Sequence, residues 1–224
     1  MATIKAVILD FDDTLCMSES NCFNLENEVL RRMGRAAQDR ELHKQTWGVD
    51  LEPAMELRSP GIDLREFWQL FPVVHKEFIE TGHMDVIPMA NMQILRELKE
   101  MGLQLMVLTS RTETESQHLM SSSHQLSSIL NAFYHKDSNA WSKPDPRVFA
   151  HIEREHGFMP EECVYVGDSI GDAAAAKGAG LFFIASLESG LRSENDFAAY
   201  NVDAFIASFT ELPVAIARLG SGSA

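Results

Sequence analysis

The chain has 224 residues, of which 45% are hydrophobic and 23% are charged, and its 19 basic and 33 acidic residues give a formal net charge of −14. This composition excludes a disordered polymer and a collagen-like repeat, and the length suits one large domain or a domain with a substantial insertion. The strong negative charge argues against nucleic acid or an anionic membrane as a partner, and at first sight against a phosphorylated substrate.

The first predicted strand, residues 6–9, is a short apolar run typical of strands that are buried on both faces of a sheet. Residues 17–83 contain no convincing strand but show helical periodicity over 23–35 and 64–80. A short strand-to-helix loop would be normal at this place in the chain. We therefore predict two domains, a helical insertion at 17–83 and an α/β core at 1–16 and 84–224.

Beyond the insertion, helical and strand patterns alternate. Helical patterns over 89–101 and 146–156 end at Gly102 and Gly157, where glycine commonly terminates a helix, and the alanine-rich stretch 170–179 predicts a third helix. Apolar runs predict strands at 105–108, 132–134, 164–166, 181–184 and 204–206. This alternation predicts an α/β fold with a doubly wound, mainly parallel sheet.

The cysteines and the amino-terminal segment bear on location. Cys16, Cys22 and Cys163 are an odd count without metal-binding spacing, which argues against a disulfide framework or a zinc site. The first apolar run ends at Asp10, too early for a signal peptide or a membrane span. We therefore expect a reducing, cytoplasmic location.

The first acidic cluster directly follows the first predicted strand and contains Asp10, Asp12 and Asp13. In a doubly wound sheet, ligands bind beyond the carboxyl ends of the strands. Carboxylates this close repel one another, so we expect a bound cation, most simply Mg²⁺, which prefers oxygen ligands. The alternative is an acidic surface turn that caps a helix.

A second acidic cluster, residues 167–172, also follows a predicted strand and opens a helix. Asp168 and Asp172 are four residues apart and can face one direction on the first helical turn, while Gly167 and Gly171 permit close backbone approach. The alternative is a helix N-terminus with favourably placed acids. Together with the first cluster, this pattern favours a metal site.

Four ordered motifs resemble those of the haloacid dehalogenase superfamily. Residues 10–14 (DFDDT) look like its first motif, Thr109 matches the second, Lys143 resembles the third, and residues 167–172 (GDSIGD) resemble the fourth. The resemblance spans the core and is to the capped phosphatase subgroup, similar to phosphoglycolate phosphatases. It implies a Rossmann-like core, a helical cap at 17–83 and Mg²⁺-dependent phosphatase activity.

The resemblance also implies roles for individual residues. Asp10 would be the nucleophile that forms an aspartyl-phosphate, and Asp12 would be the general acid and then the base. Thr109 would hydrogen-bond a phosphoryl oxygen, a role that Ser110 could share. Lys143 would pair with Asp10 and the phosphate.

The implied metal ligands come from both acidic clusters. Asp10, the backbone carbonyl of Asp12, and Asp168 would hold Mg²⁺, with Asp172 either close by or behind them. Such a metal, together with Lys143, would neutralise the charge that otherwise keeps a carboxylate from attacking a phosphate. Crowding beside other carboxylates would keep a proton on Asp12.

Plainer interpretations exist for several of these residues. Lys143 could be a solvated loop lysine, and Thr109 could simply end a strand or cap a helix. Arg111 is a candidate phosphate or substrate contact, although an exposed ion-pairing arginine is the simpler interpretation. The eight histidines form no ligand pair, so we assign all of them to the surface.

Within the family pattern, Asp13 stands where glycine is common, and Asp12 argues against a true dehalogenase. The cap favours small substrates such as phosphoglycolate, a nucleoside monophosphate or a sugar phosphate. Cap residues that could contact the substrate are Arg58, Arg65 and Lys76, although solvation is the simpler role for each.

We expect a small phosphorylated metabolite as partner, with no nucleic acid and no membrane, and the oligomeric state is left open. A phosphomutase or a phosphonate hydrolase on the same core is the first alternative. The phosphonate hydrolase would need a Schiff-base lysine such as Lys44 or Lys76. The second alternative is a non-catalytic phosphate-binding protein, against which the acids at positions 10, 12 and 168 weigh heavily.

Overall fold

The computed structural model describes residues 3–47 and 51–221. The chain divides into two compact units, one formed by Met1–Leu15 with Ile87–Ala224 and the other by Cys16–Val86. The insertion predicted over 17–83 differs from the second unit by one residue at its start and three at its end. Its role as a cap stays a prediction.

Among the described residues of the unit Cys16–Val86, the regular elements are α-helices. Its core is formed by apolar side chains that recur at helical spacing, among them Leu25, Val29, Phe67 and Val74, which pack together in one buried cluster. The periodicity over 64–80 correctly predicts the helix Leu64–Glu80, whereas the sequence patterns did not predict the two shorter helices, Arg40–Gln45 and Leu51–Arg58. The helices of this unit are α1 (Ser18–Arg32), α2 (Arg40–Gln45), α3 (Leu51–Arg58) and α4 (Leu64–Glu80).

A buried polar network crosses this helical core. The imidazole of His43 is fully buried, with Nδ1 2.6 Å from a carboxylate oxygen of Glu19 and Nε2 3.4 Å from one of Glu26. Arg58 is also buried and its Nη1 donates to Glu26 at 2.8 Å. The surface assignment of every histidine is therefore wrong for His43, and the solvated role given to Arg58 is wrong as well.

This network sets the charge of Glu26. Burial alone would raise the pKa of its carboxyl, but the neighbouring imidazole of His43 and the guanidinium of Arg58 lower it below its ordinary value. Gln38 adds a further hydrogen bond of 3.0 Å from its side-chain amide. Glu26 is therefore an ionised carboxylate in the interior, held there by its partners.

The other unit is built on a six-stranded sheet in which every neighbouring pair of strands is parallel. In the central strand, Ile8 lies opposite Met106 on one side and Tyr165 on the other. The doubly wound, parallel α/β fold predicted from the alternation is thus confirmed. The strands are β1 (Ala6–Leu9), β2 (Gln104–Leu108), β3 (Ala132–Tyr134), β4 (Cys163–Gly167), β5 (Phe182–Ser186) and β6 (Ala204–Ile206). Their order across the sheet is β3-β2-β1-β4-β5-β6.

This strand order determines where a ligand can bind. β2 and β4 lie on either side of β1. The chain therefore moves to one side of β1 when it forms β2 and β3, and to the other side when it forms β4, β5 and β6. Such a reversal opens a crevice at the carboxyl ends of the strands. The residues that directly follow β1, β2 and β4 therefore lie at one edge of the sheet.

Helices accompany the sheet within this unit. The helix predicted over 146–156 is divided, because Pro146–Phe149 forms a 3₁₀ turn before the helix Ala150–His156 begins. The helix predicted over 170–179 matches the helix Ile170–Ala179. Gly102 and Gly157 adopt left-handed backbone angles, with φ of 85° and 71°, and end their helices as predicted. The helices are α5 (Met89–Glu100), α6 (Glu113–Ser116), α7 (Ala150–His156), α8 (Ile170–Ala179) and α9 (Leu212–Ser221).

Two further sequence predictions concern cysteines and membranes. All three cysteines are free thiols. Within the part of the chain that the structure describes, no helix has both the length and the apolar character needed to cross a bilayer.

Candidate active site

Asp10 is the first residue beyond β1 and lies at the ligand-binding edge of the sheet. Its backbone N–H continues the ladder by donating to the carbonyl of Val166 at 2.8 Å, and its side chain is buried. Three residues further on, Asp13 has a φ of 55°, in the left-handed region that glycine adopts readily and aspartate tolerates. The turn geometry therefore accounts for an aspartate where the family often has glycine.

Lys143 joins the two acidic clusters. Its Nζ lies 2.6 Å from Oδ1 of Asp10 and 2.7 Å from Oδ1 of Asp172, and it also donates to the hydroxyl of Tyr165 at 3.0 Å. Burial lowers the pKa of Lys143, but the two carboxylates outweigh it and hold that pKa well above the ordinary value. Lys143 is therefore a charged, buried side chain and not a solvated loop lysine.

Asp172 is fixed at the start of α8. Its Oδ2 accepts hydrogen bonds from the N–H and the hydroxyl of Ser169, at 3.0 and 2.6 Å, and its Oδ1 accepts one from Tyr165 at 3.1 Å. Because both oxygens already have donors, the carboxylate is held rigidly against Lys143. This arrangement suits a residue that would support a metal ligand such as Asp10 from behind.

Gly167 makes the close approach of Asp172 possible. A Cβ at position 167 would lie 2.6 Å from both Cβ and Cγ of Asp172, a distance that real contacts do not reach. A Cβ at Gly171 would meet only the hydroxyl of Ser169, at an ordinary 3.6 Å. The expected close approach is therefore confirmed at Gly167, and for Gly171 it is wrong.

Asp10, Asp168 and Asp172 form the carboxylate group of the site, since one oxygen from each lies within 4.8 Å of the others. Burial and the neighbouring carboxylates raise the pKa of Asp168 to about 9. Burial also raises the pKa of Asp10, to about 7, although the charge of Lys143 opposes the rise. The clustered carboxyl groups thus outnumber the single lysine that contacts them, which makes the group a candidate cation site.

The Asp12 carboxylate contacts an arginine. Nε of Arg111 donates to both oxygens of Asp12, at 3.1 and 3.0 Å, and Nη2 donates to Oδ1 at 2.6 Å. The Arg111 side chain is only 15% exposed, so the ion pairing considered from the sequence is present but the expected exposure is wrong. The side chain of Asp12 is not among the clustered carboxylates, and its predicted metal contact is through the backbone carbonyl.

The second motif lies at the end of β2. Thr109 is buried, its N–H donates to the carbonyl of Tyr134 at 2.9 Å, and its hydroxyl accepts the N–H of Arg111 at 3.2 Å. Thr112 caps α6, so the helix-capping alternative for Thr109 is wrong. Ser110 is exposed beside it. Both hydroxyls follow a strand at the same edge of the sheet as Asp10.

The structure brings Asp10, Lys143, Asp168 and Asp172 into one cluster and links Asp12 to the Thr109 loop through Arg111. The contribution of Tyr165 was missed, because a tyrosine within an apolar strand pattern looks like a core residue. Its hydroxyl nevertheless contacts Lys143 and Asp172. The site residues include a carboxylate beside a fixed cation, oxygen atoms that could bind a metal, and a second carboxylate nearby. Such groups can support nucleophilic and acid–base chemistry.

The sequence is similar to those of known phosphatases. The chain is 24% identical over 216 residues to a phosphoglycolate phosphatase of Nitrosospira multiformis, with 93% of each chain covered. It is 26% identical over 200 residues to a glyceraldehyde 3-phosphate phosphatase of Methanopyrus kandleri, covering 80% of this chain and 82% of that one.

The fold is also found in solved structures. A HAD family hydrolase of Deinococcus radiodurans, crystallised with bound phosphate and sodium, aligns over 98% of each chain with a TM-score of 0.78 and 19% identity.

Residues 7–186 match the family described as haloacid dehalogenase-like hydrolase, and this range includes every residue of the site described above. By this match over most of its length, the chain belongs to the haloacid dehalogenase-like hydrolase family.

Proposed function

We propose that the protein is a Mg²⁺-dependent phosphatase that hydrolyses small phosphomonoesters through an aspartyl-phosphate on Asp10. It is a phosphoric monoester hydrolase, as its family and the names of its relatives indicate. The observation that carries the mechanism is the pairing of Asp10 with Lys143 at 2.6 Å beside two further clustered carboxylates. A buried carboxylate that would act as the nucleophile, the lysine paired with it and the carboxylates that would hold a metal therefore lie together beyond the carboxyl ends of β1 and β4.

The carboxylate group fits Mg²⁺. Its donors are hard oxygens, and a divalent cation would offset the burial and the neighbouring carboxylates that raise the pKa values of Asp10 and Asp168. Asp10, Asp168 and the backbone carbonyl of Asp12 would hold the ion, with Asp172 behind them. When bound, Mg²⁺ supplies positive charge that stabilises the phosphoryl oxygens and lowers the proton affinity of the nucleophile.

In the first step, a carboxylate oxygen of Asp10 attacks phosphorus and the bond to the ester oxygen breaks. Asp12 gives its proton to the departing oxygen, so an alcohol leaves and the phosphoryl group remains on Asp10. Lys143 keeps its charge and balances the negative charge that gathers on the group being transferred. The hydroxyls of Thr109 and Ser110 donate to its oxygens.

In the second step, water attacks phosphorus and the bond to Asp10 breaks. The deprotonated Asp12 takes a proton from that water, which restores the general acid for the next cycle. Inorganic phosphate leaves, so the net reaction consumes one ester and one water and yields one alcohol and one phosphate. Two modest barriers thereby replace a single difficult displacement.

The substrate we propose is a small phosphorylated metabolite. The relatives are named for phosphoglycolate and for glyceraldehyde 3-phosphate, which are both small alkyl phosphates with a second polar group. The helical unit Cys16–Val86 is proposed as the cap of the enzyme. Phosphonate hydrolysis is not favoured at Lys76, because a Schiff-base lysine must be desolvated and this side chain is 76% exposed.

The test is phosphate release from a panel of substrates by the purified protein, with Mg²⁺ and with EDTA. The panel contains 2-phosphoglycolate, glyceraldehyde 3-phosphate, a hexose phosphate and a nucleoside monophosphate. Asp10→Asn keeps the shape of the nucleophile and removes its charge, and Glu100→Gln is a matched change at an exposed carboxylate. We expect Mg²⁺-dependent release that Asp10→Asn abolishes and Glu100→Gln retains. Metal-independent release, or full release by Asp10→Asn, would refute the mechanism.

A further inference from the structure

Arg111 holds both oxygens of the Asp12 carboxylate, although none of the four motifs described above includes this arginine. Three N–H···O contacts between 2.6 and 3.1 Å make the pair bidentate, with the planar guanidinium matched to the planar carboxylate. The Asp12 side chain is 34% exposed. A short side chain with this much access to water would sample several rotamers unless a partner held it.

The guanidinium is itself held in place from several sides. Its central carbon lies 4.8 Å from the centre of the Phe11 ring, and Phe11 is fully buried and packs against Phe133. The Arg111 backbone is fixed as well, because its N–H donates to Thr109 Oγ1 at 3.2 Å and its carbonyl accepts the N–H of Lys136 at 2.7 Å. These contacts therefore hold the Arg111 guanidinium in a fixed orientation towards Asp12.

We propose that Arg111 is a positioning residue that orients the Asp12 carboxylate for proton exchange with the leaving oxygen of the substrate. The inference rests on the proposed function, in which Asp12 is the general acid. A carboxylate has about four lone-pair directions, so a bidentate arginine leaves others for the proton that is transferred. Misplacement of such a group by about 1 Å can lower a rate on the order of 100-fold.

A purely structural role is the alternative, because the same pair connects the loop after β1 to the loop after β2. The two roles differ in their dependence on the leaving group. Acetyl phosphate releases a stable carboxylate that needs no proton, whereas 2-phosphoglycolate releases an alkoxide that does. Loss of positioning therefore impairs only the second substrate strongly, whereas a distorted site impairs both.

The experiment compares kcat/KM for these two substrates, because this parameter covers the steps up to departure of the leaving group. We expect Arg111→Met to lower the value for 2-phosphoglycolate by about 10–100-fold and that for acetyl phosphate by less than about 3-fold. Arg111→Lys should retain part of the kcat/KM that Arg111→Met loses, because the ammonium group keeps the positive charge but not the planar bidentate contact of the guanidinium. Arg96→Met is the matched control at an exposed arginine and leaves both values unchanged.

A double-mutant comparison completes the test. In an Asp12→Asn background, Arg111→Met should lower kcat/KM for 2-phosphoglycolate by less than about 3-fold more, because the group that it positions is already disabled. Thermal unfolding verifies that each variant folds, and Arg111→Lys carries the comparison where Arg111→Met does not fold.

The outcomes separate the two proposals. Equal losses on both substrates, or a full further loss in the Asp12→Asn background, would overturn the positioning role while phosphatase activity that depends on Asp10 stands. If the wild-type protein releases no phosphate from either substrate with Mg²⁺, or Asp10→Asn retains release, the proposed function fails and the positioning role fails with it.

Discussion

Asp168→Asn is expected to stabilise the metal-free protein at alkaline pH and to abolish its response to Mg²⁺. Burial and the neighbouring carboxylates raise the pKa of Asp168 to about 9 in the folded protein, whereas the unfolded chain has an ordinary aspartate. The folded state therefore binds the proton more tightly than the unfolded state. By linkage, the stability that this proton contributes is present at low pH and is lost as the pH rises from about 4 towards 9.

The slope follows from the same linkage. One proton that is bound in the folded state and released in the unfolded state changes the free energy of unfolding by about 1.4 kcal/mol per pH unit. Between pH 6 and pH 8 in EDTA, Asp168 would thus cost the wild-type protein up to about 3 kcal/mol. The asparagine variant keeps the shape of the side chain and lacks this contribution. Its slope should therefore be smaller than that of the wild-type protein, and what remains comes from other groups such as Asp10, whose pKa is also raised.

The measurement is urea unfolding in EDTA at pH 6 and pH 8, followed by addition of Mg²⁺. Glu100→Gln serves as the control for a general loss of one negative charge. Mg²⁺ should stabilise the wild-type protein more at pH 8 than at pH 6, because protons compete with the metal for the carboxylates. An equal slope in the wild-type and Asp168→Asn proteins, or an equal gain from Mg²⁺ in both, would contradict the reasoning.

Two further substitutions test packing and charge elsewhere. Gly167→Ala places a Cβ 2.6 Å from the Asp172 side chain, so we expect the free energy of unfolding to fall by about 1–3 kcal/mol and phosphate release to fall with it; unchanged values for both would contradict the predicted clash. Glu26→Gln leaves Arg58 buried without its carboxylate and should cost about 3–5 kcal/mol at pH 7, against at most about 1 kcal/mol for Glu28→Gln at a surface pair. Because the folded-state pKa of Glu26 is lowered, this difference should shrink as the pH falls below the ordinary glutamate range, and a difference that persists in acid would refute the assignment.

Much of the sheet was predictable because each central strand is a continuous apolar run that ends abruptly in polar residues. Asp10 and Thr109 each follow such a run, and parallel strands place their carboxyl ends at one edge, so their nearness follows from the strand pattern alone. The resemblance supplied Lys143, which precedes a proline-rich turn and has no local pattern that would mark it as buried.

The remaining contacts depend on tertiary structure that no local pattern encodes. Arg111 meets Asp12 across 99 positions of sequence, and His43 meets Glu19 across 24, so neither pair produces a periodic signal. Histidine and arginine in an acidic helical segment look solvated because most such residues are. The contacts of the buried polar network form only when the chain folds, because only then are its carboxylates removed from water and dependent on these partners.

The charge of −14 has a different meaning at the site than it has for the whole chain. Asp10, Asp12, Asp13, Asp168 and Asp172 belong to the two acidic motifs. Lys143 is already paired with Asp10 and Asp172, and Arg111 with Asp12. The positive charge of these two side chains is therefore already balanced in part by carboxylates when a phosphomonoester enters the site. In the proposed mechanism, binding of the substrate would depend on a divalent cation held by the carboxylates, which would supply further positive charge. An acidic composition is thus compatible with an anionic substrate, provided that the site holds such a cation.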